Sequence, residues 1–190
     1  MKIREFLSLL NPLKGIIQKN KKIQNKSDVI EVLNLLNIKN YTVNEDLSVD
    51  VVGDVQMANL SLTKIPIQFG MVTGNFYCRD NNLTSLKGAP KEVGGHFSCS
   101  DNELTSLEGA PYKVGDGFNC NRNNLTSLEC APKIVEGQQF SCGENKLTSL
   151  EGSPKAVGGH FNCSNNELTS LKGAPKEVGG NFNCSNNELT

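Results

Sequence analysis

The chain has no tryptophan, 6 % aromatic residues and only 2 histidines. Globular cores draw much of their buried apolar area from aromatic side chains. With 37 % hydrophobic residues in all, the core has to be thin. No apolar run approaches the ~18 residues of a membrane span. A secretory signal is missing as well: Lys2 and Arg4 are followed by Glu5, and Asn11, Pro12 and Lys14 break the apolar stretch. These absences lead to the expectation of a cytoplasmic protein with no membrane contact. Charge of one sign is not in excess either. A formal net charge of -1 exerts no general pull on nucleic acid. Paired cysteines of the CxxC kind, which mark zinc sites, do not occur among the 7 cysteines.

What the chain does have is a repeat. From Leu83 it reads LTSLKGAPKEVGGHFSCSDNE, LTSLEGAPYKVGDGFNCNRNN, LTSLECAPKIVEGQQFSCGENK, LTSLEGSPKAVGGHFNCSNNE and LTSLKGAPKEVGGNFNCSNNE, and it ends on Leu189-Thr190. The period is 21, with one 22-residue unit whose extra residue falls around Glu136 to Gln139. Cys78, Cys99, Cys120, Cys142, Cys163 and Cys184 keep the same period. Stepping back one period places Val55, Met57, Leu62, Ile65 and Val72 in the register of Phe76, Cys78, Leu83, Leu86 and Val93. That is a degenerate first unit, as expected where a repeat meets a cap.

Each unit has a physical reading. Phe97-Ser98-Cys99 alternates apolar and polar, so it is a short strand with Phe and Cys inward. Asn102, with Asn81, Asn123, Asn145, Asn166 and Asn187, sits at the bend after the strand, where it can satisfy backbone groups. Leu104 and Leu107 point inward, Pro111 fixes φ in the return segment, and Val114 closes the core. Gly94-Gly95 and Gly115 are expected to supply positive φ on re-entry to the strand. Recurring cysteines with no partner nearby read as small buried hydrophobes. Cys130, which replaces the Gly of G-A-P, reads as an exposed loop thiol.

The pattern L-x-x-L followed by F-x-C-x-x-N-x-L, with L-T-S-L-x-x-x-P-x-x-V, resembles the short leucine-rich repeats of bacterial type III secreted effectors. It also resembles uncharacterised repeat proteins of large tailed bacteriophages. The likeness covers roughly residues 55 to 190. It implies a leucine-rich-repeat solenoid behind a helical cap, and a protein partner. No effector catalytic domain is visible, so ligase activity is not implied.

The expected fold is therefore an α+β repeat. A right-handed solenoid of 21-22-residue units carries a parallel sheet on its concave face, with mostly irregular segments outside. Residues 1-54 form an N-terminal helical cap and β-hairpin, and residues 55-190 form the solenoid. In the cap, one helix is expected from about Ile3, with Phe6, Leu7, Leu10, Leu13 and Ile17 on its apolar side. Another is expected from Ser27-Asp28, with Val29, Ile30, Val32, Leu33, Leu35, Leu36 and Ile38 as a broad apolar face. Tyr41, Val43, Val49 and Val51 read as a hairpin around Asn44-Glu45-Asp46. No polar cap follows Leu189-Thr190, from which a longer natural chain is expected.

On function, the residues flanking Phe and Cys form a row of polar groups. The candidate partner-binding residues are Tyr77, Arg79, His96, Ser98, Asp101, Asn119, Arg122, Glu144, His160, Asn162 and Asn183. Tyr77, Arg79 and Arg122 would anchor, being types that carry binding energy. The same row also reads as a solvated sheet face, and the chain as a structural spacer. His96 and His160 fall three turns apart, ~14 Å at ~4.8 Å per strand, too far to share a metal. Lys91, Lys133, Lys155 and Lys176 form one charged ladder, and Glu108, Glu129 and Glu151 another, both of the kind usually solvated. The expectation is thus a non-enzymatic scaffold for a protein partner, with no cofactor, no metal, no nucleic acid and no small-molecule substrate.

Overall fold

The structure is a computed structural model that describes residues 22–190. The helix expected from about Ile3 lies outside them. Helix α1 (Lys26–Leu35) is capped by Asn25, whose side chain accepts from the Asp28 backbone N–H. The helix thus begins before the expected Ser27-Asp28 start, because an extended Asn at φ -155° already meets the orphan donor of the first turn. Val29, Val32 and Leu33 are its buried face.

A hairpin follows, β1 (Tyr41–Val43) against β2 (Val49–Val51), with Tyr41 opposite Val51. From there the chain winds into a parallel β-solenoid of about six turns with a spacing of about 21 residues. Every turn contributes two strands, not one. The first series is β4 (Phe69–Val72), β6 (Glu92–Val93), β8 (Lys113–Val114), β10 (Ile134–Val135), β12 (Ala156–Val157) and β14 (Glu177–Val178). With β1 and β2 it forms an 8-stranded sheet, here the Val sheet. The second series is β3 (Val55–Gln56), β5 (Phe76–Tyr77), β7 (Phe97–Ser98), β9 (Gly117–Asn119), β11 (Gln139–Ser141), β13 (His160–Asn162) and β15 (Phe182–Asn183). It forms a 7-stranded sheet, here the Phe sheet.

This corrects the expectation of one sheet backed by irregular segments. The segment expected to be irregular is itself a sheet, and α1 is the one helix among the described residues. Strands of two residues have no stability of their own. They persist because the turns above and below offer a full ladder of partners.

The degenerate unit falls in the expected register: Val55 pairs with Phe76 and Val72 with Val93. The longer unit absorbs its extra residue between β10 and β11, since Val135 still pairs with Val114 and Phe140 with Phe118. The hairpin is continuous with the solenoid, because β2 runs parallel to β4. One apolar core extends from Val29 to Leu168. Along it the rings of Phe76, Phe97, Phe118, Phe140, Phe161 and Phe182 stack with centroids 5.1 to 5.6 Å apart. Leu86, Leu107, Leu128 and Leu150 are fully buried, whereas Leu171 of the last turn is 43 % exposed.

Five ladder cysteines are buried and Cys184 is half-buried, while Cys130 is exposed, and all are free thiols. The positive φ expected at Gly94-Gly95 and Gly115 is found elsewhere. It lies at Gly88, Gly109, Gly152 and Gly173 of the G-A-P and G-S-P corners, and at Cys130 in the same position. Gly94 and Gly115 serve close approach instead: a Cβ on Gly115 would lie 2.1 Å from the Gly94 carbonyl oxygen of the turn before.

Candidate functional site

The bend after each Phe strand is built by the ladder Asn. Asn102 Nδ2 donates to the carbonyls of Cys78, Cys99 and Ser100 at 3.0 to 3.1 Å, and its Oδ1 accepts from Leu83 N–H at 2.9 Å. One side chain thereby closes its own turn and ties it to the preceding one. Asn123, Asn145, Asn166 and Asn187 repeat the pattern. Burial pushes the neighbouring Cys78 thiol up to about 12 and raises those of Cys99, Cys120 and Cys142 for the same reason.

Immediately before each ladder Asn the backbone is left-handed. Asp80, Asp101, Arg122, Glu144, Asn165 and Asn186 all have φ between 52° and 55°. Asn and Asp tolerate that region, whereas Arg and Glu occupy it against their preference. The two ill-suited residues are adjacent turns of one column. Arg122 Nε donates to Glu144 Oε2 at 3.0 Å, and Arg122 Nη1 lies 3.5 Å from Asp101 Oδ1. The hydrogen bond to Glu144, then its charge, hold the guanidinium above its ordinary pKa. Arg79 pairs with Asp80 at the head of the column.

Of the expected partner-binding residues, the structure brings Asp101, Arg122 and Glu144 together in one charged column, and sets Tyr77, Ser98 and Asn119, like Asn162 and Asn183, side by side on neighbouring strands. Tyr77 is half-buried between Gln56 and Ser98. Ser98 is buried, with its Oγ 3.4 Å from that of Ser100. Asn119, Asn162 and Asn183 fold back to accept the backbone N–H two residues on. His160 Nδ1 accepts the Asn181 N–H of the next turn at 2.9 Å. That bond requires a lone pair on Nδ1 and so selects the tautomer with its proton on Nε2. His96 Nε2 meets Asp116 Oδ2 at 2.8 Å. Among the described residues, no hydrogen bond joins His96 to the Ser98 hydroxyl, which lies against Ser100 instead. Among the described residues, no group of three His, Cys, Asp or Glu side chains is placed to hold a metal.

Sequence reasoning placed the position before each Phe on the exposed face and did not foresee that its side chains bond from turn to turn. Asp54 Oδ1 accepts Asn75 N–H at 2.7 Å, and Asn75 Oδ1 accepts His96 N–H at 2.8 Å. Its only signal was the recurrence of acceptor side chains one residue ahead of the strand. Comparison of the chain with known protein families, with curated proteins and with solved structures finds no match in any of the three.

Proposed function

We propose that the protein is a non-enzymatic scaffold that binds a partner protein across the Phe sheet and its charged margin. The supporting observation is the left-handed column. Asn165 and Asn186 show what a purely structural turn uses there, and Arg122 and Glu144 depart from it at a conformational cost. Both side chains are extensively exposed, Arg122 at 61 %. A planar guanidinium held between two carboxylates is a rigid, directional feature of the kind that anchors interfaces. The leucine-rich-repeat reading fits the inward Leu, Phe and Cys columns and the Asn bends, and the bacterial or phage origin rests on the likeness of motif alone. Under this reading the protein acts in the cytoplasm of the bacterial or host cell.

Capture from a lysate tests the reading. The native protein and the double variant Arg122→Asn, Glu144→Asn are used as parallel baits. Loss of a stoichiometric partner with the variant, at equal or higher stability, is the expected result. Equal capture by both baits, or no stoichiometric partner for either, would favour the spacer reading. The internal hydrogen bonds of Ser98, Asn119 and Asn162 are what speak for that alternative.

A further inference from the structure

The outer face of the Val sheet carries an independent set of features. Three of the exposed large apolar side chains lie on or beside it: Met71 at 48 %, Tyr112 at 60 % and Ile134 at 38 %. The lysine ladder runs along the same face. Tyr112 N–H donates to the Lys91 carbonyl, Lys133 N–H to that of Tyr112 and Lys176 N–H to that of Lys155. These residues are therefore stacked in register, one per turn. Among the described residues, none of the four lysines has a carboxylate within ion-pair distance. Like charges stacked directly across neighbouring strands are unfavourable, and nothing in the packing of the turns requires them.

Beside the ladder the sheet is indented in two separate places. Shallow depressions of about 270 and 500 Å³ open over β4, β6 and β8 and over β12 and β14. Their floor is backbone at Gly94, Gly115, Gly158 and Gly179, where the close approach of successive turns permits no side chain. Six strands at ~4.8 Å span about 24 Å, the length of an extended segment of roughly seven residues.

We propose that this face docks an extended acidic segment of another protein, laid along the solenoid axis. Its carboxylates would meet Lys133, Lys155 and Lys176, and its apolar residues would cover Tyr112 and Ile134. Lys91, at the other end of the ladder, is already within electrostatic reach of Asp46 of the hairpin turn. Charge favours a peptide over a nucleic acid. Glu92, Glu136 and Glu177 interrupt the lysines, and an unbroken phosphodiester chain would be repelled where a peptide can place an apolar residue.

The test is fluorescence anisotropy on the full chain. The probe is a labelled seven-residue peptide alternating Glu and Leu, with a single-stranded oligonucleotide of matching length as the second probe. The peptide should bind, and should weaken as salt shortens the Debye length from ~30 to ~8 Å. Lys133→Glu combined with Lys155→Glu should weaken it at least about tenfold. Tyr112→Ala should weaken it with little change in salt dependence, which separates the apolar contribution from the charged one. Glu167→Gln, exposed and away from the ladder, should change neither. All these residues are on the surface, and thermal unfolding of each variant confirms the fold. Absence of peptide binding, indifference to the lysine variant, or tighter binding of the oligonucleotide would each overturn the proposal. Because the strip lies on the other sheet from Arg122, these outcomes are independent of the capture experiment.

Discussion

Two bends of each turn solve the same problem with opposite means. At the bend after the Phe strand, the chain leaves the sheet with several backbone groups buried and unpaired, and one Asn side chain serves them all. At the bend between the Val and Phe strands, the turns approach so closely that backbone meets backbone, and the solution is to have no side chain at all. The cysteines separate the Asn bend from a third corner, the G-A-P one before the Val strand. Those beside the Asn bend are buried and hard to ionise, whereas Cys130, at the G-A-P corner, is exposed at φ 65°. The buried side-chain hydrogen bonds are thus concentrated in the Asn column, while Asp54, Asn75 and His160 add more exposed bonds at the other bend. The remaining corners rely mainly on conformational tolerance.

This contrast can be broken experimentally. Asn123→Ala removes the acceptor for Leu104 N–H and the donor to three carbonyls. It should cost about 4 kcal/mol, because a single orphaned buried group costs ~1–3 kcal/mol. Its neighbour Asn124→Ala should stay within ~0.5 kcal/mol. Equal urea midpoints for the two would remove the basis for treating the Asn column as the main tie between turns. Gly115→Ala comes next. The added methyl meets the Gly94 carbonyl, and overpacking of this kind costs about 2 kcal/mol. A neutral result would mean that the turns can slide apart.

Thiol ionisation provides a smaller, graded effect. A thiol whose folded pKa is raised, as for Cys99, keeps its proton in the native state while the unfolded state loses it above its value of 9.0. Stability is then fully present below pH 9 and falls as pH rises, by about 1.4 kcal/mol per pH unit per buried thiol. Urea titrations at stepped pH should show a shallower alkaline decline for Cys99→Ala, and thiol reagents should reach Cys130 first. The smallest change is Cys130→Gly. It relieves a left-handed non-glycine residue and should raise stability by about 1 kcal/mol. Destabilisation there would show that the thiol packs in a way its exposure does not suggest.

Much of the core was legible. Phe76, Cys78, Leu83, Leu86 and Val93 recur at a constant interval, and a constant interval of apolar residues can only mean stacked turns facing one interior. The degenerate unit was legible for the same reason, since Val55, Met57 and Ile65 keep the interval after the polar signature is gone. The candidate site was much less so. Asn162 and Asn183 looked available as single residues, and their side chains are spent on the local backbone. His160 was legible as an exposed candidate for partner binding, but its bond to the next turn was not.

The sequence by itself determined the period, the inward set of side chains and the place of each Asn bend, because those properties are local to one unit and repeat with it. Only the tertiary structure decided that Glu92–Val93 and its equivalents are strands, that Gly94 and Gly115 yield to neighbouring backbone, and that Arg122 bridges Asp101 and Glu144. Each of these is a relation between positions about 21 residues apart. It comes into being when one turn is laid upon the next, and no property of a single turn announces it.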